Sequence, residues 1–181
     1  MGAMGHHNIT VTGLNTSSFQ GDRAIVSLLR KMGAVITESC GKLTVTPGPL
    51  HGIDIDARDV PDLIPVLAVT AACAKGITHV KNAGRLHLKE SDRLASTATL
   101  IRSLGGYAIQ DQDSLTIYGG SLQGGTVDAC RDHRIVMAAA AASAACAGPV
   151  TILGTEAVQK SYPSFFEDYL ALGGSIKEEK A

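Results

Sequence analysis

Tryptophan is absent from this chain of 181 residues, and the other aromatic residues are few, with three phenylalanines and four tyrosines. Proteins that bind single-stranded RNA usually stack the bases on exposed aromatic rings, so this composition disfavours an RNA-binding module. The formal net charge is only −1, which excludes the overall basic field that non-specific nucleic-acid binding requires. Any site for an anion must therefore be local.

Cysteines and long hydrophobic runs are also scarce. The four cysteines show no C-x-x-C spacing, and Cys73 and Cys146 fall inside apolar segments. We interpret them as small buried apolar residues of a protein in a reducing compartment, and we expect neither a disulfide framework nor a zinc site. The longest apolar run, 135–150, is mostly alanine and is too short and too weakly hydrophobic to span a bilayer. We therefore expect a cytoplasmic protein with no membrane and no nucleic-acid partner.

The length of the chain fits one domain with a substantial core. The opening residues Met-Gly-Ala-Met-Gly resemble a vector and cleavage scar, and we predict a disordered start over 1–7. The domain itself is predicted over 8–181.

An internal repeat dominates what the sequence does contain. Residues 32–57 align without a gap with 104–129 at an offset of 72, so that Gly33 aligns with Gly105 and Gly52 with Gly124. In each copy, a glycine ends a helix. A hairpin, a third strand, a long helix and a further strand then follow in this order. The pattern predicts βαβαββ units, of which the chain holds about two and a half.

The long helices predicted in the two copies, 61–75 and 132–147, are apolar nearly all round. A surface helix shows one apolar stripe, whereas a helix that is apolar on every face is buried. We therefore predict an inside-out α/β barrel or prism, in which sheets surround buried helices. A further helix, 91–104, is predicted to be amphipathic.

Cations occupy the predicted helix starts, where the helix dipole is already positive. This placement is unfavourable unless an anion binds there. The cations concerned are Lys89, Arg93, Arg134 and Lys160.

Local ion pairs, Glu90 with Arg93 and Asp132 with Arg134, are an alternative interpretation of these charges. Equivalent helices of a repeat point the same way, however, so their starts should converge on one open face. That face would bind a multiply anionic ligand. The starts concerned are those at Asp62, Glu90, Arg134 and Lys160.

Five motifs, which occur along the chain in the same order as in the family, give the chain a specific resemblance to the 5-enolpyruvylshikimate-3-phosphate synthase family over residues 8–178. They are LKESDRL, DHRIVMAAAAASA, KSYPSFFEDYLALGG, SSFQGD with LLRKMGA, and VPDLIPVLAVTAACAKG. The sister family of UDP-N-acetylglucosamine enolpyruvyl transferases shares the repeats but not the KESDR and DHR starts as they stand here.

The resemblance implies an enzyme of two domains, each with three βαβαββ units, and an active site in the cleft between them. This chain would be the C-terminal domain, with the N-terminal domain absent, and would be folded but inactive by itself. The implied substrates are shikimate-3-phosphate and phosphoenolpyruvate, from which the enolpyruvyl group is transferred and phosphate is released. The resemblance implies no metal or organic cofactor and a monomeric full-length enzyme.

Two carboxylates are the catalytic residues that the resemblance implies. Asp62 matches the proton acceptor near the shikimate 5-hydroxyl, and Glu90 matches the group that exchanges a proton with the methylene carbon of phosphoenolpyruvate. Lys89 matches a ligand of the shikimate phosphate, and three further cations match those around phosphoenolpyruvate. The latter three are Arg93, Arg134 and Lys160.

Two nearby residues stay without an assigned role. We interpret His133 as a structural or orienting histidine rather than a catalyst. Arg85 matches a position where some members of the family carry an asparagine in contact with substrate. Two other functions also stay open: an enolpyruvyl transferase with another acceptor, such as UDP-N-acetylglucosamine, and, less favoured, a non-catalytic RNA-binding repeat module.

Overall fold

The computed structural model describes residues 1–15 and 20–178, and its strands form three sheets. The first sheet is antiparallel in the order β1-β3-β2 and contains β1 (Ile9–Thr12), β2 (Val35–Ser39) and β3 (Lys42–Thr46). The second has the order β4-β5-β7-β6 and contains β4 (Asp54–Asp56), β5 (Ile77–Lys81), β6 (Tyr107–Gln110) and β7 (Leu115–Tyr118). The third pairs β8 (Gly125–Asp128) with β9 (Val150–Leu153) in parallel.

The described residues also form five α-helices. They are α1 (Ala24–Lys31), α2 (Ile64–Ala72), α3 (Arg93–Ser103), α4 (His133–Ala142) and α5 (Phe165–Ala171). Helices α2, α3 and α4 pack against one another, and each also packs against strands. Most residues of α2 and α4 are buried, as expected for helices that are apolar on every face. The predicted inside-out arrangement is confirmed.

The two copies of the repeat fold alike. The hairpins β2–β3 and β6–β7 are equivalent, and so are the parallel pairs β4–β5 and β8–β9. Gly52 and Gly124 are also equivalent, because a Cβ atom would lie only 2.0 Å from the Ile77 carbonyl oxygen at Gly52 and 2.5 Å from the Pro149 carbonyl oxygen at Gly124. Both glycines therefore allow a close approach of the neighbouring backbone.

Helix α3 is amphipathic, as predicted, with Thr99 and Arg102 exposed on one side, but its buried side is not purely apolar. The polar residues Ser96 and Thr97 are buried together with its apolar side chains, as is Arg93, the first residue of the helix. The reason is tertiary, because α3 packs against both central helices and against strands β6 and β8.

The start of the chain also differs from its prediction. The N–H groups of Met4 and Gly5 donate to the Met1 carbonyl oxygen, and Ala3 is only 6% exposed and belongs to the hydrophobic core. The structure thus describes Met1–Gly5 as a turn that packs against the core, and the disordered start over 1–7 stays a prediction. Residues 17–19 of the SSFQGD motif lie outside the described residues. Among the described helices, none is long and apolar enough to cross a membrane.

Candidate active site

Several helix starts bring charged residues to one place. Asp62 lies in the 3-10 turn Pro61–Leu63 that precedes α2, Arg93 begins α3, and Asp132 caps the start of α4. The three carboxylates of this place are linked to its four cations and to His133 by ion pairs. The predicted convergence is therefore present. We call the three carboxylates Asp62, Glu90 and Asp132 the site carboxylates.

The Asp62 carboxylate is shared by several cations. Its Oδ1 lies 3.0 Å from Lys89 Nζ and accepts a hydrogen bond of 2.7 Å from Arg93 NH1. Its Oδ2 lies 3.7 Å from Arg134 NH2, which also lies 3.7 Å from Asp22 Oδ2. Asp62 is partly exposed, so a ligand could reach both this carboxylate and the cations that hold it.

Glu90 is held in a similar way by two other groups. Its Oε2 lies 2.7 Å from His133 Nδ1, and its Oε1 lies 2.6 Å from Lys160 Nζ. The Lys160 side chain is mostly exposed, whereas the His133 side chain is nearly buried. His133 thus contacts Glu90 from the buried side, and its role in orienting this carboxylate stays a prediction.

A buried ion pair lies beneath these two carboxylates. Arg93 Nε donates to Asp132 Oδ2 at 2.8 Å and Arg93 NH2 donates to Asp132 Oδ1 at 3.1 Å, and the two residues are 2% and 0% exposed. Asp132 also accepts from the Arg134 backbone N–H at 2.9 Å and from Ser91 Oγ at 3.0 Å. Because Arg93 also bonds to Asp62, it ties the starts of α2, α3 and α4 together.

The partners of these ion pairs differ from the local pairs that the sequence suggested. Glu90 pairs with His133 and Lys160 rather than with Arg93, and the carboxylate of Asp132 pairs with the guanidinium of Arg93. Asp132 was not among the predicted site residues. Its one signal was the position of an aspartate immediately before an apolar helix, which is typical of an N-cap.

Two of the predicted site cations, Lys160 and Arg93, lie in surroundings that differ from those predicted. Lys160 ends the 3-10 turn Thr155–Lys160, whereas α5 begins only at Phe165, so its cation lies at a C-terminal end that favours it. Arg93 is buried with three of its N–H groups already bonded to carboxylates. The geometry shows it as a residue that holds the site together, and its contact with substrate stays a prediction.

The environment favours the ionised forms of the site carboxylates. Burial raises the pKa of Asp62, but Lys89, Arg134 and Arg93 outweigh it and leave this pKa below its usual value. Burial likewise raises the pKa of Glu90, and Lys160 and His133 outweigh it. The pKa of Asp132 is also lowered, because Arg93 and other donors overcome its desolvation.

Glu90, Asp132 and His133 place three potential metal ligands within 4.8 Å of one another. Arg93 already binds both oxygens of Asp132, and Lys160 lies against Glu90. These cations neutralise the carboxylates that a divalent ion would need, so the set favours ion pairing over metal binding.

A shallow cavity opens beside Asp62 and Arg134. Its volume is about 210 Å³, and its apolar wall is formed by α2 and α4. This is smaller than the ~300–1,000 Å³ of sites that enclose a whole ligand. The cavity therefore fits a part of a ligand that other surfaces also contact. Arg85 lies apart from these ion pairs and donates to the Arg58 carbonyl oxygen at 3.0 Å.

Solved structures with the same fold are enolpyruvyl transferases. EPSP synthase from Acinetobacter baumannii matches with a TM-score of 0.82 and 28% identity, over 96% of this chain and 43% of that one. The enolpyruvyl transferase NikO from Streptomyces tendae matches with a TM-score of 0.76 and 25% identity, over 94% of this chain and 40% of that one. The fold of this chain is therefore that of the enolpyruvyl transferases.

The sequence comparisons identify the family. The family model for EPSP synthase (3-phosphoshikimate 1-carboxyvinyltransferase) matches residues 1–169. The 3-phosphoshikimate 1-carboxyvinyltransferase of Clostridium kluyveri is 47% identical over 98% of this chain. The chain belongs to the EPSP synthase family. It spans 42% of the length of the Clostridium kluyveri protein.

Proposed function

We propose that this chain is the C-terminal domain of an enzyme that transfers the enolpyruvyl group of phosphoenolpyruvate to the 5-hydroxyl of shikimate-3-phosphate. The observation that carries the proposal is the pairing of two accessible carboxylates, Asp62 and Glu90, with cations on one face. Both substrates are anionic, so the same cations can bind them. The rest of the cleft would come from the remainder of the enzyme.

Asp62 is the proposed acceptor of the 5-hydroxyl proton. Its lowered pKa keeps it ionised before substrate arrives, as a base requires. Anionic substrate groups would draw Lys89 and Arg134 away from the carboxylate. Because these cations lower its pKa, their withdrawal makes Asp62 a stronger base once substrate is bound.

Glu90 is the proposed donor of a proton to the methylene carbon of phosphoenolpyruvate. Its pKa in the ligand-free domain lies below its usual value, which makes it a poor acid at neutral pH. A substrate phosphate that attracted Lys160 would remove one of the contacts that lower this pKa. The change would allow Glu90 to carry the proton that the reaction needs.

The chemistry then balances in two steps. In the addition, C3 of phosphoenolpyruvate gains a proton from Glu90, the 5-oxygen bonds to C2, and the hydroxyl proton passes to Asp62. In the elimination, the bond from C2 to the phosphate oxygen breaks and the new methyl group returns a proton to Glu90. Phosphate leaves, and its protonation restores Asp62. Arg93, Arg134, Lys89 and Lys160 are the proposed cations that stabilise the anionic groups.

The experiment is a comparison of the chain alone with a chimera, in which the chain replaces the matching part of the Clostridium kluyveri relative. Phosphate release from phosphoenolpyruvate with shikimate-3-phosphate should be measurable only in the chimera. Asp62→Ala and Glu90→Ala in the chimera should each lower kcat by about 10²- to 10⁴-fold with a smaller change in KM. Near-normal kcat in both variants would make these carboxylates ordinary ion-pair partners and refute the mechanism.

An enolpyruvyl transferase with another acceptor is the second candidate. It is favoured by the fold match to NikO, whose description as an enolpyruvyl transferase does not specify this acceptor. The chimera's turnover with shikimate-3-phosphate against UDP-N-acetylglucosamine separates the two. We further propose a monomeric, cytoplasmic enzyme without a nucleic-acid partner, which sedimentation and fractionation of the full-length protein would test.

A further inference from the structure

The loop that carries two of the site residues is closed by a histidine. His87 follows the buried Leu86 in the 3-10 turn Gly84–Leu88, and Asp92 is the N-cap of α3. His87 Nδ1 lies 2.9 Å from Asp92 Oδ2, a contact that joins the two ends of the intervening segment. That segment, 88–91, contains Lys89 and Glu90.

The other ring nitrogen anchors the same histidine to a different element. His87 Nε2 lies 2.9 Å from the carbonyl oxygen of Gln112, in the turn of the β6–β7 hairpin. Asp92 in turn accepts the Ala95 N–H at 3.1 Å through its other oxygen. One side chain thus links the loop, the start of α3 and the hairpin.

Both ring nitrogens face groups that can only accept. A carboxylate and a carbonyl oxygen have no proton to donate, and a neutral imidazole has one N–H. The neutral ring can therefore satisfy one contact, while its other nitrogen would face an acceptor with a lone pair. Only the imidazolium, with two N–H groups, satisfies both.

The segment between the two ends has little else to hold it by packing. Leu88, at its start, is 85% exposed, although it is a large apolar residue. Lys89 and Glu90 contact the rest of the site through their charged ends, with Asp62 and Lys160. Ser91 and Glu90 also make polar contacts, with Asp132 and His133, and the contact of His87 with Asp92 is the one that joins the two ends of the segment.

We propose that His87 is a positioning residue, whose imidazolium closes the 88–91 segment and fixes the placement of Lys89 and Glu90. The inference rests on the proposed function in so far as these two residues act on substrate. As pH rises and the ring loses a proton, one of the two contacts is lost and the segment loosens. The charged groups that face the ring are Asp92, at the start of α3, and Asp113, in the hairpin turn.

The direction of the pH effect follows from the same contacts. The Gln112 carbonyl and then Asp92 raise the pKa of His87 above its ordinary value. Closure by His87 is therefore complete below the ordinary pKa of about 6.5 and is lost as pH rises through the higher pKa of the folded state.

The test uses the chain itself and needs no substrate. Long-range ¹H–¹⁵N spectra from about pH 5 to about pH 9 report the protonation of the His87 ring, while backbone amides of Lys89 and Ala95 report the loop and the start of α3. We expect both ring nitrogens to stay protonated to above the ordinary pKa, and both amides to shift with the same midpoint. In His87→Gln that inflection should be lost, whereas the exposed control His79→Gln should keep it.

Two results would overturn the proposal. The first is a His87 ring that titrates at or below about 6.5. The second is a pair of Lys89 and Ala95 amides that show no inflection at the His87 midpoint. Both are read from the wild-type chain, so a poorly folded variant does not prevent a decision. An inactive chimera would refute the proposed reaction and leave this result unaffected.

Discussion

The buried pair Arg93–Asp132 offers the sharpest test of how this domain is held together. The perturbation is a double-mutant cycle of Arg93→Met and Asp132→Asn. Met keeps much of the length of the arginine stem without its charge. Asn keeps an oxygen that can accept the Arg134 N–H at the start of α4, where Asn caps about as well as Asp.

The magnitudes follow from burial and from the remaining partners. Arg93→Met leaves the fully buried Asp132 carboxylate with only the Arg134 N–H and the Ser91 hydroxyl, which should cost about 3–5 kcal/mol of stability. Asp132→Asn leaves Arg93 with Asp62 as its remaining anion, so a smaller loss of about 1–3 kcal/mol is expected. The double variant contains neither charge, and its loss should fall below the sum by roughly 2–3 kcal/mol.

The assay is urea unfolding at neutral pH of the four proteins in the cycle. The exposed pair Arg58–Asp56 supplies the matched control, and its two substitutions should be nearly additive. Additivity within about 0.5 kcal/mol at Arg93 and Asp132 would show that the two side chains are not energetically coupled. The pair would then not hold the starts of α3 and α4 together.

Three further predictions concern packing, ligand binding and acid. Thr97→Val should raise the free energy of unfolding by about 1 kcal/mol, because the buried Thr97 hydroxyl has no hydrogen-bond partner among the described residues. Thr70→Val should lower it by a similar amount, because the Thr70 hydroxyl donates to the Val66 carbonyl oxygen. Equal effects of the two substitutions in thermal unfolding would contradict this prediction. Arg134→Ala in the chimera should raise the KM for phosphoenolpyruvate more than tenfold, because a charge-assisted contact with the anion is lost; each tenfold corresponds to about 1.4 kcal/mol. An unchanged KM in steady-state kinetics would show that Arg134 does not bind this substrate. The site carboxylates have lowered pKa values, so the stability that they contribute is present above about pH 4 and is lost as pH falls through the pKa values of the folded state. Arg93→Met should make the loss of stability on acidification smaller, because Arg93 is one of the cations that lower the pKa values of Asp62 and Asp132. An acid-unfolding midpoint equal to that of the unsubstituted chain would contradict this prediction.

The fold could be predicted closely because the same pattern of helices and strands occurs in both copies of the repeat. The predicted helices 61–75 and 132–147 correspond to a 3-10 turn followed by α2, and to α4 followed by a 3-10 turn. Because these helices are apolar on every face, their burial could be predicted from the sequence. The burial of α3 could not be read in the same way, because Ser96 and Thr97 look like surface residues until their neighbours in space are known.

The location of the site was also predictable, but its internal contacts were not. Equivalent helices of a repeat begin at the same face, so convergence of their charges follows from topology alone. The partner of each charge depends on side-chain geometry across elements. Asp132 and Arg93 are 39 residues apart in the chain, whereas the local pairs suggested by the sequence are two or three apart.

The charge balance of the site explains how so many cations can gather without a ligand. The three site carboxylates and Asp22 face four cations, so the formal charges of these eight groups cancel. Each cation already has an anionic partner, so the proposed substrate would exchange partners with a carboxylate rather than fill an empty site. That exchange weakens the contacts that hold down the pKa values of Asp62 and Glu90. In the proposed mechanism, binding of an anion and readiness for proton transfer are one event, because the substrate would break the ion pairs that stabilise the free domain.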